Sequence, residues 1–346
     1  MKFIYRIYLF LFAVIFFAMC NASLDNEEEA KQEEWAEAGL INQRLGRGIN
    51  LGNALEAPKE GDWGVVLQSE YFQLIKEAGF NSVRIPVRWS AHAKVDSPFT
   101  IDPSFMERVS WAVNQAFANG LLAVINIHHY DELFADPPAH KQRFLALWRQ
   151  IAERFQQHSQ NLLFEILNEP HDQLTPALWN DYLAEALTVI RKTNPLRTVI
   201  IGTANWGGID ALDKLVLPDD DRLILTFHYY QPFQFTHQGA EWVSGSDAWL
   251  GTKWLGAPQE IQAIQKDFDR VSQWAALHNI AVFMGEFGAY RKADFASRVR
   301  WTSTVAREAE KRNFSWAYWE FCAGFGIYDT QSSSWLNDLL RALIPR

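Results

Sequence analysis

The chain has 346 residues, 48% hydrophobic and only 21% charged, which is enough apolar material for a full-sized core. Its net charge of −9 disfavours a nucleic-acid partner, because neutralising phosphates needs basic patches. Past residue 22 no apolar run is long enough to cross a bilayer, so no membrane-spanning segment is expected in the mature chain.

Residues 1–22 read as a signal peptide, with Lys2 and Arg6 ahead of an aromatic and aliphatic stretch from Ile7 to Met19. Two processing routes stay open: cleavage after Ala22, or Cys20 as the lipid-carrying first residue of a lipoprotein. Either route predicts a secreted or cell-envelope protein. Residues 23–39, with an acidic run at 25–29, read as a flexible leader, and residues 40–346 as one domain. The only cysteine besides Cys20 is Cys322, so no disulfide is expected and stability must rest on the core.

From residue 47 onward short apolar strands alternate with amphipathic helical stretches. The strands fall at 47–51, 82–87, 121–127, 162–167, 198–202, 223–227, 280–285 and 315–319. Asp102-Pro103 and Thr175-Pro176 each place a capping residue before a proline at a helix start. Eight such βα units predict an α/β fold, a single (β/α)8 TIM barrel, rather than an open doubly wound sheet. No glycine-rich phosphate loop follows the first strand. One connection is long: residues 231–258, after the sixth strand, carry Phe233, Phe235, Trp242, Trp249 and Trp254. A loop so long and so aromatic is expected to be a wall of the binding cleft.

A TIM barrel builds its active site at the C-terminal ends of its strands. Those ends offer Asn53, Arg84, His128 and His129, Asn168 and Glu169, Trp206, His228 and Tyr230, Glu286, and Trp319. Two of these are carboxylates that follow apolar runs, Glu169 in Asn168-Glu169-Pro170 and Glu286 in Gly285-Glu286-Phe287-Gly288. Two carboxylates facing each other across a cleft are what cleavage of a glycosidic bond needs.

In this order, Arg84-Ile85-Pro86, His128-His129, Asn168-Glu169-Pro170, His228-Tyr229-Tyr230, Gly285-Glu286-Phe287-Gly288 and Tyr318-Trp319-Glu320-Phe321 resemble glycoside hydrolase family 5. The stretches 51–56, 237–242 and 323–326 are similar to a subgroup of bacterial endoglucanases, some of which also cleave mannans. The resemblance covers about residues 40–346. It implies a retaining endo-β-1,4-glucanase acting on cellulose-type β-glucans, with mannan or mixed-linkage glucan as the alternative substrate. It also implies that no cofactor or metal is required, and that the chain acts as a monomer on a β-linked polysaccharide.

By matching motif, Glu169 would be the general acid/base and Glu286 the nucleophile. Arg84 and a hydrogen bond from Tyr230 would keep Glu286 ionised. Asn168 would hold the 2-hydroxyl of the sugar being cleaved. His128, His129 and Asn53 would line that subsite, with Glu56 reaching sugar hydroxyls nearby. His228 would sit beside the acid/base and Trp319 under the sugar ring. Trp206 would stack on the leaving-group side, extended by His237 and Trp242.

Bland readings compete. Adjacent histidines suggest a metal, but the first strand end offers only Asn53 and no further inward ligand. Neighbours on a strand point to opposite faces, so only one of His128 and His129 is expected to face straight in. Trp111, Trp148, Trp179, Trp274 and Trp301 sit on helical stretches and are expected to pack helices on the barrel. Glu165 and Glu320 are expected to be structural. A sugar-binding barrel without catalysis would lack one of the two carboxylates.

Overall fold

A computed structural model describes residues 37–345. Eight parallel strands close a barrel in chain order: β1 (Arg47–Asn50), β2 (Ser82–Ile85), β3 (Leu122–Asn126), β4 (Leu162–Glu165), β5 (Val199–Gly202), β6 (Leu223–Tyr229), β7 (Ala281–Phe287) and β8 (Ser315–Tyr318). Every strand expected from the sequence is present. The calls on the signal peptide, Cys20 and most of the acidic leader lie outside the described residues.

Six helices surround the barrel: α1 (Ser69–Ala78), α2 (Pro103–Ala118), α3 (Pro137–Phe155), α4 (Pro176–Arg191), α5 (Pro258–Leu277) and α6 (Phe295–Glu310), with α7 (Asn337–Leu343) packed on α6. The Asp102 carboxylate accepts the N–H of Ser104 and the Thr175 hydroxyl accepts that of Leu178, as the two Pro-led starts predict. The alternation lapses after β5. There a single turn at Ala204–Gly207 and a 3-10 stretch at Ile209–Lys214 replace a long helix.

Side chains alternate between two cores. Leu122, Val124, Leu163, Ile200, Ile224, Phe283 and Ala317 fill the barrel interior, while the other strand faces meet the helices. Ile41 and Leu45 join the interior cluster, so the helix over residues 37–45 plugs the end where the strands begin. Asn42 fixes the plug by donating to the Val282 carbonyl and accepting from the Ser315 hydroxyl. Residues 37–39, read from the sequence as leader, are therefore already helical.

The helix tryptophans pack as expected, and three are also anchored. Trp148, Trp179 and Trp301 donate their indole N–H to the carbonyls of Ile166, Gly202 and Gln231, at or just past strand ends. Each thereby satisfies a backbone acceptor where the ladder stops.

Candidate active site

Arg84, on β2, organises the base of the barrel mouth. It is wholly buried and makes five hydrogen bonds: to both oxygens of Glu165 (2.6 and 2.8 Å), to Asn50 (2.8 Å), to Glu286 (2.7 Å) and to Asn168 (2.7 Å). A buried guanidinium is tolerable only when paired this fully. The two carboxylates beside it outweigh its burial and hold it charged. Glu165 is structural, as expected, and serves as its counter-ion.

Glu286 depends on an irregularity in β7. Phe227 pairs with Met284, but His228 pairs with Glu286, so Gly285 is an extra residue on that strand. Phe283 points into the barrel and Met284 towards the helices. Strict alternation would turn Glu286 outward two residues after Met284; the bulge reverses the parity and turns it in. There it accepts from Arg84 on one oxygen and from the Tyr230 hydroxyl (2.8 Å) on the other. Burial alone would raise its pKa, but His228, Arg84 and the Tyr230 hydrogen bond together prevail and lower it.

Glu169 follows β4 with a backbone φ of 45°. One carboxylate oxygen lies 2.6 Å from Nδ1 of His228. Burial raises its pKa above the ordinary carboxylate range, against the lowering pull of His228, and the negative charge of Glu286 adds to the rise. His228 also lies 3.6 Å from Glu286. The two carboxylates outweigh its burial and favour its charged form. Oxygens of Glu169 and Glu286 and a ring nitrogen of His228 all fall within 4.8 Å of one another. Such a trio is spaced as a cation site could be. Arg84, however, already places positive charge against Glu286, and the proton favoured on His228 fills the same electrostatic role.

Around this pair the expected residues assemble. Asn168 is buried with its oxygen on Arg84, so its amide nitrogen is the end left to meet a ligand. Burial keeps His128 neutral, and the Arg84 charge acts in the same direction. Its ring lies parallel to Trp319, centroids 5.9 Å apart. His129 lies edge-on to it at 4.5 Å, and burial lowers its pKa to about 4. Both histidines border the mouth, contrary to simple alternation, because β3 ends at Asn126 and His129 adopts a φ of 48°. Asn53 lines the mouth on a turn with φ 64°.

Trp206 is 57% exposed and stacks on His171, centroids 3.4 Å apart, with its own φ at 62°. Trp242, 60% exposed, and His237, nearly buried, stand on the long loop beside Tyr230. Burial lowers the His237 pKa to about 4. Phe235 and Trp254 of the same loop are core residues, so the loop is only partly a cleft wall. Left-handed backbone at non-glycine residues gathers at this rim: Asn53, His129, Glu169, Asp172, Asn205 and Trp206.

Glu56 corrects the sequence reading. It is 0% exposed, and its carboxylate accepts the backbone N–H groups of Asn53 and Ala54. It shapes the turn that carries Asn53 and does not reach sugar hydroxyls. Glu320 is likewise buried, accepting from the N–H groups of Cys322, Ala323 and Phe325. Sequence reasoning missed Asn50, His171 and Trp63, the last an exposed indole edge-on to His129 at 5.5 Å. Its placement between Gly61 and Gly64, in the loop after the first strand, was the available signal.

The family model "Cellulase (glycosyl hydrolase family 5)" matches residues 47–324. Endoglucanase H of Acetivibrio thermocellus is 39% identical over 307 residues, covering 87% of this chain and 33% of that protein. Cellulase/esterase CelE of the same organism is 31% identical, with 79% and 35% covered, so the chain spans about a third of the length of these two relatives. Among solved structures, Thermotoga maritima Cel5A is 57% identical, with a TM-score of 0.87 over 88% of this chain and 99% of that one. The clostridial cellulose synthase subunit Z (CcsZ) of Clostridioides difficile is 44% identical, with a TM-score of 0.85 over 87% of this chain and 99% of that one. A match over most of the chain, carrying both carboxylates, places this protein in the cellulase family, glycosyl hydrolase family 5.

Proposed function

We propose that the chain is a retaining endo-β-1,4-glucanase that hydrolyses internal bonds of cellulose-type β-glucans by double displacement. One observation carries the reading: two carboxylates at the barrel mouth, with oxygens within 4.8 Å and pKa values displaced in opposite directions. Retaining catalysis uses carboxyl groups about 5–5.5 Å apart, whereas inversion needs about 6.5–9.5 Å to admit a water.

Ionised Glu286 attacks the anomeric carbon while protonated Glu169 gives its proton to the departing glycosidic oxygen. The C–O bond to the leaving sugar breaks as the bond to Glu286 forms. Esterified, Glu286 no longer repels a charge on Glu169, which then takes a proton from water as that water displaces the carboxylate. Relatives named endoglucanase support glucan as the substrate. Thermotoga maritima Cel5A has been solved with cellobiose and with mannotriose, so mannan belongs in the same assay.

Export to the envelope or exterior is part of the proposal and rests on the charged and apolar segment over residues 1–19. So is action as a monomer, since both carboxylates and their partners come from one chain. The test is reducing-end release from carboxymethyl cellulose, lichenan and galactomannan, with the first-formed anomer read by NMR. Glucan hydrolysis with retention is expected. Activity in a folded E286A variant would remove the nucleophile assignment.

A further inference from the structure

Three consecutive loops meet at His171. They follow β3, β4 and β5, which are neighbours in the barrel, and they carry Phe134, His171 and Trp206. The imidazole lies flat on the Trp206 indole, centroids 3.4 Å apart and planes 13° from parallel. The buried Phe134 ring packs on it as well, at 4.0 Å. Its Nδ1 lies 2.5 Å from the backbone carbonyl oxygen of Glu169, two residues back. A carbonyl only accepts, so the proton is on Nδ1 and the imidazole donates.

Both partners need holding. Glu169 and Trp206 have left-handed backbone, with φ of 45° and 62°, and Asp172 and Asn205 beside them have φ of 53° and 54°. Non-glycine residues keep such angles only where the surroundings fix them. His171 gives one contact to each, a hydrogen bond to the Glu169 carbonyl and a ring under Trp206. The two segments also touch directly. The Trp206 N–H donates to the Pro170 carbonyl at 3.2 Å, and a methyl on Gly207 would stand 3.7 Å from Cγ of Glu169.

The contacts of His171 fall on different parts of the reaction. Glu169 must stand next to the departing oxygen, so its edge of the mouth is the leaving-group side. Trp206, 57% exposed and tied to the same segment, borders the sugar that leaves. The His171 side chain is only 12% exposed and acts through these two neighbours.

We propose that His171 is a positioning residue with two separable duties. Its Nδ1–H fixes the backbone of the general acid Glu169, and its ring seats Trp206 for the departing sugar. Binding on the leaving-group side and alignment of the acid are thereby coupled through one imidazole. This rests on the glucanase reading above.

The test compares wild type, H171F and H171N on cellopentaose and on β-cellobiosyl fluoride. Phenylalanine keeps a ring under Trp206 and removes the donor; asparagine keeps a donor at similar reach and removes the ring. H171F should lose about 10- to 100-fold in kcat on cellopentaose with KM close to wild type, because a displaced reacting group is that costly. H171N should keep kcat and raise KM by up to about 10-fold, the scale of one aromatic contact. Both should turn over the fluoride within about twofold of wild type, since fluoride departs without a proton and is too small to reach Trp206. A wild-type kcat in H171F removes the hydrogen bond from catalysis, and a wild-type KM in H171N removes the seat; either result overturns the coupling. Loss of the fluoride rate in both variants overturns it too, making His171 a packing residue of the fold. A wild type that cuts mannopentaose but not cellopentaose overturns the glucan reading instead, and the same comparison on the manno-sugars then decides His171.

Discussion

Gly285 and His228 are in contact across the β6–β7 pairing, and the contact leaves no room for a side chain on the glycine. A methyl there would lie 3.0 Å from Nε2 of His228 and 2.8 Å from the Thr226 hydroxyl oxygen. The Thr226 hydroxyl is buried without a partner, so nothing pulls it aside. Gly285 thus serves both carboxylates: its bulge turns Glu286 inward, and its bare α-carbon seats the imidazole that holds Glu169.

G285A should therefore fold yet lose about 10- to 100-fold in kcat with little change in KM, since sub-ångström misplacement of a reacting group is costly. His228 lowers the pKa of Glu169. Displacing the imidazole should move the alkaline limb of the kcat/KM profile to higher pH. T226A in the same background relieves only the hydroxyl collision and should not restore the limb. A G285A enzyme with the parental profile would show that the seat is irrelevant.

The pH–rate profile should be a bell whose two limbs belong to different carboxyls. Glu286 must be ionised, and its lowered pKa puts the acid limb below the ordinary glutamate value of 4.5. Glu169 must be protonated, and its raised pKa puts the alkaline limb above that value. E169Q should lose about 10²- to 10⁴-fold on polymer, the usual contribution of a general acid. It should lose far less on an aryl glycoside whose leaving group needs no proton. An alkaline limb that survives in E169Q would assign it to another group.

The sequence displayed the barrel because its strands are buried on both faces and so read as continuous apolar runs. It displayed the two facing carboxylates because strand ends are where barrels keep their chemistry. What it hid was backbone. Nothing in Gly285-Glu286 announces a bulge, and nothing in His128-His129 shows that β3 has already ended. Glu56 looked like one more polar residue beside Asn53, because a carboxylate that caps its own turn and one that meets a ligand share the same letters. Trp63 escaped because a turn between two glycines has no periodicity to mark it.

Glu56 gives the folded state a distinct pH dependence. Burial raises its pKa to about 8, against the lowering pull of its backbone hydrogen bonds, and Glu320 is raised to about 7. Below about pH 4.5 both carboxyls are protonated, folded or unfolded, and add nothing. Above 4.5 the unfolded chain ionises them while the folded chain holds the protons, to about pH 7 for Glu320 and about pH 8 for Glu56, so stability falls as pH rises through that window. E56Q mimics the protonated form. Its melting temperature relative to wild type should rise by a few degrees from pH 5 to pH 8. A difference independent of pH would mean that Glu56 ionises normally in the fold.

R84K tests the fork that joins both halves of the site. A lysine keeps the charge but can reach only some of Glu165, Asn50, Glu286 and Asn168, which Arg84 binds together. Glu286 loses part of what lowers its pKa, so the acid limb should move to higher pH. Asn168 loses its orienting bond, which should cost kcat more than KM, because its contact to the sugar strengthens in the transition state. Breaking a buried ion pair costs about 3–5 kcal/mol when one partner is removed outright, so R84A should unfold several degrees earlier than R84K. If R84K kept the acid limb and lost only stability, Arg84 would be a structural counter-ion for Glu165 and no part of the tuning of Glu286.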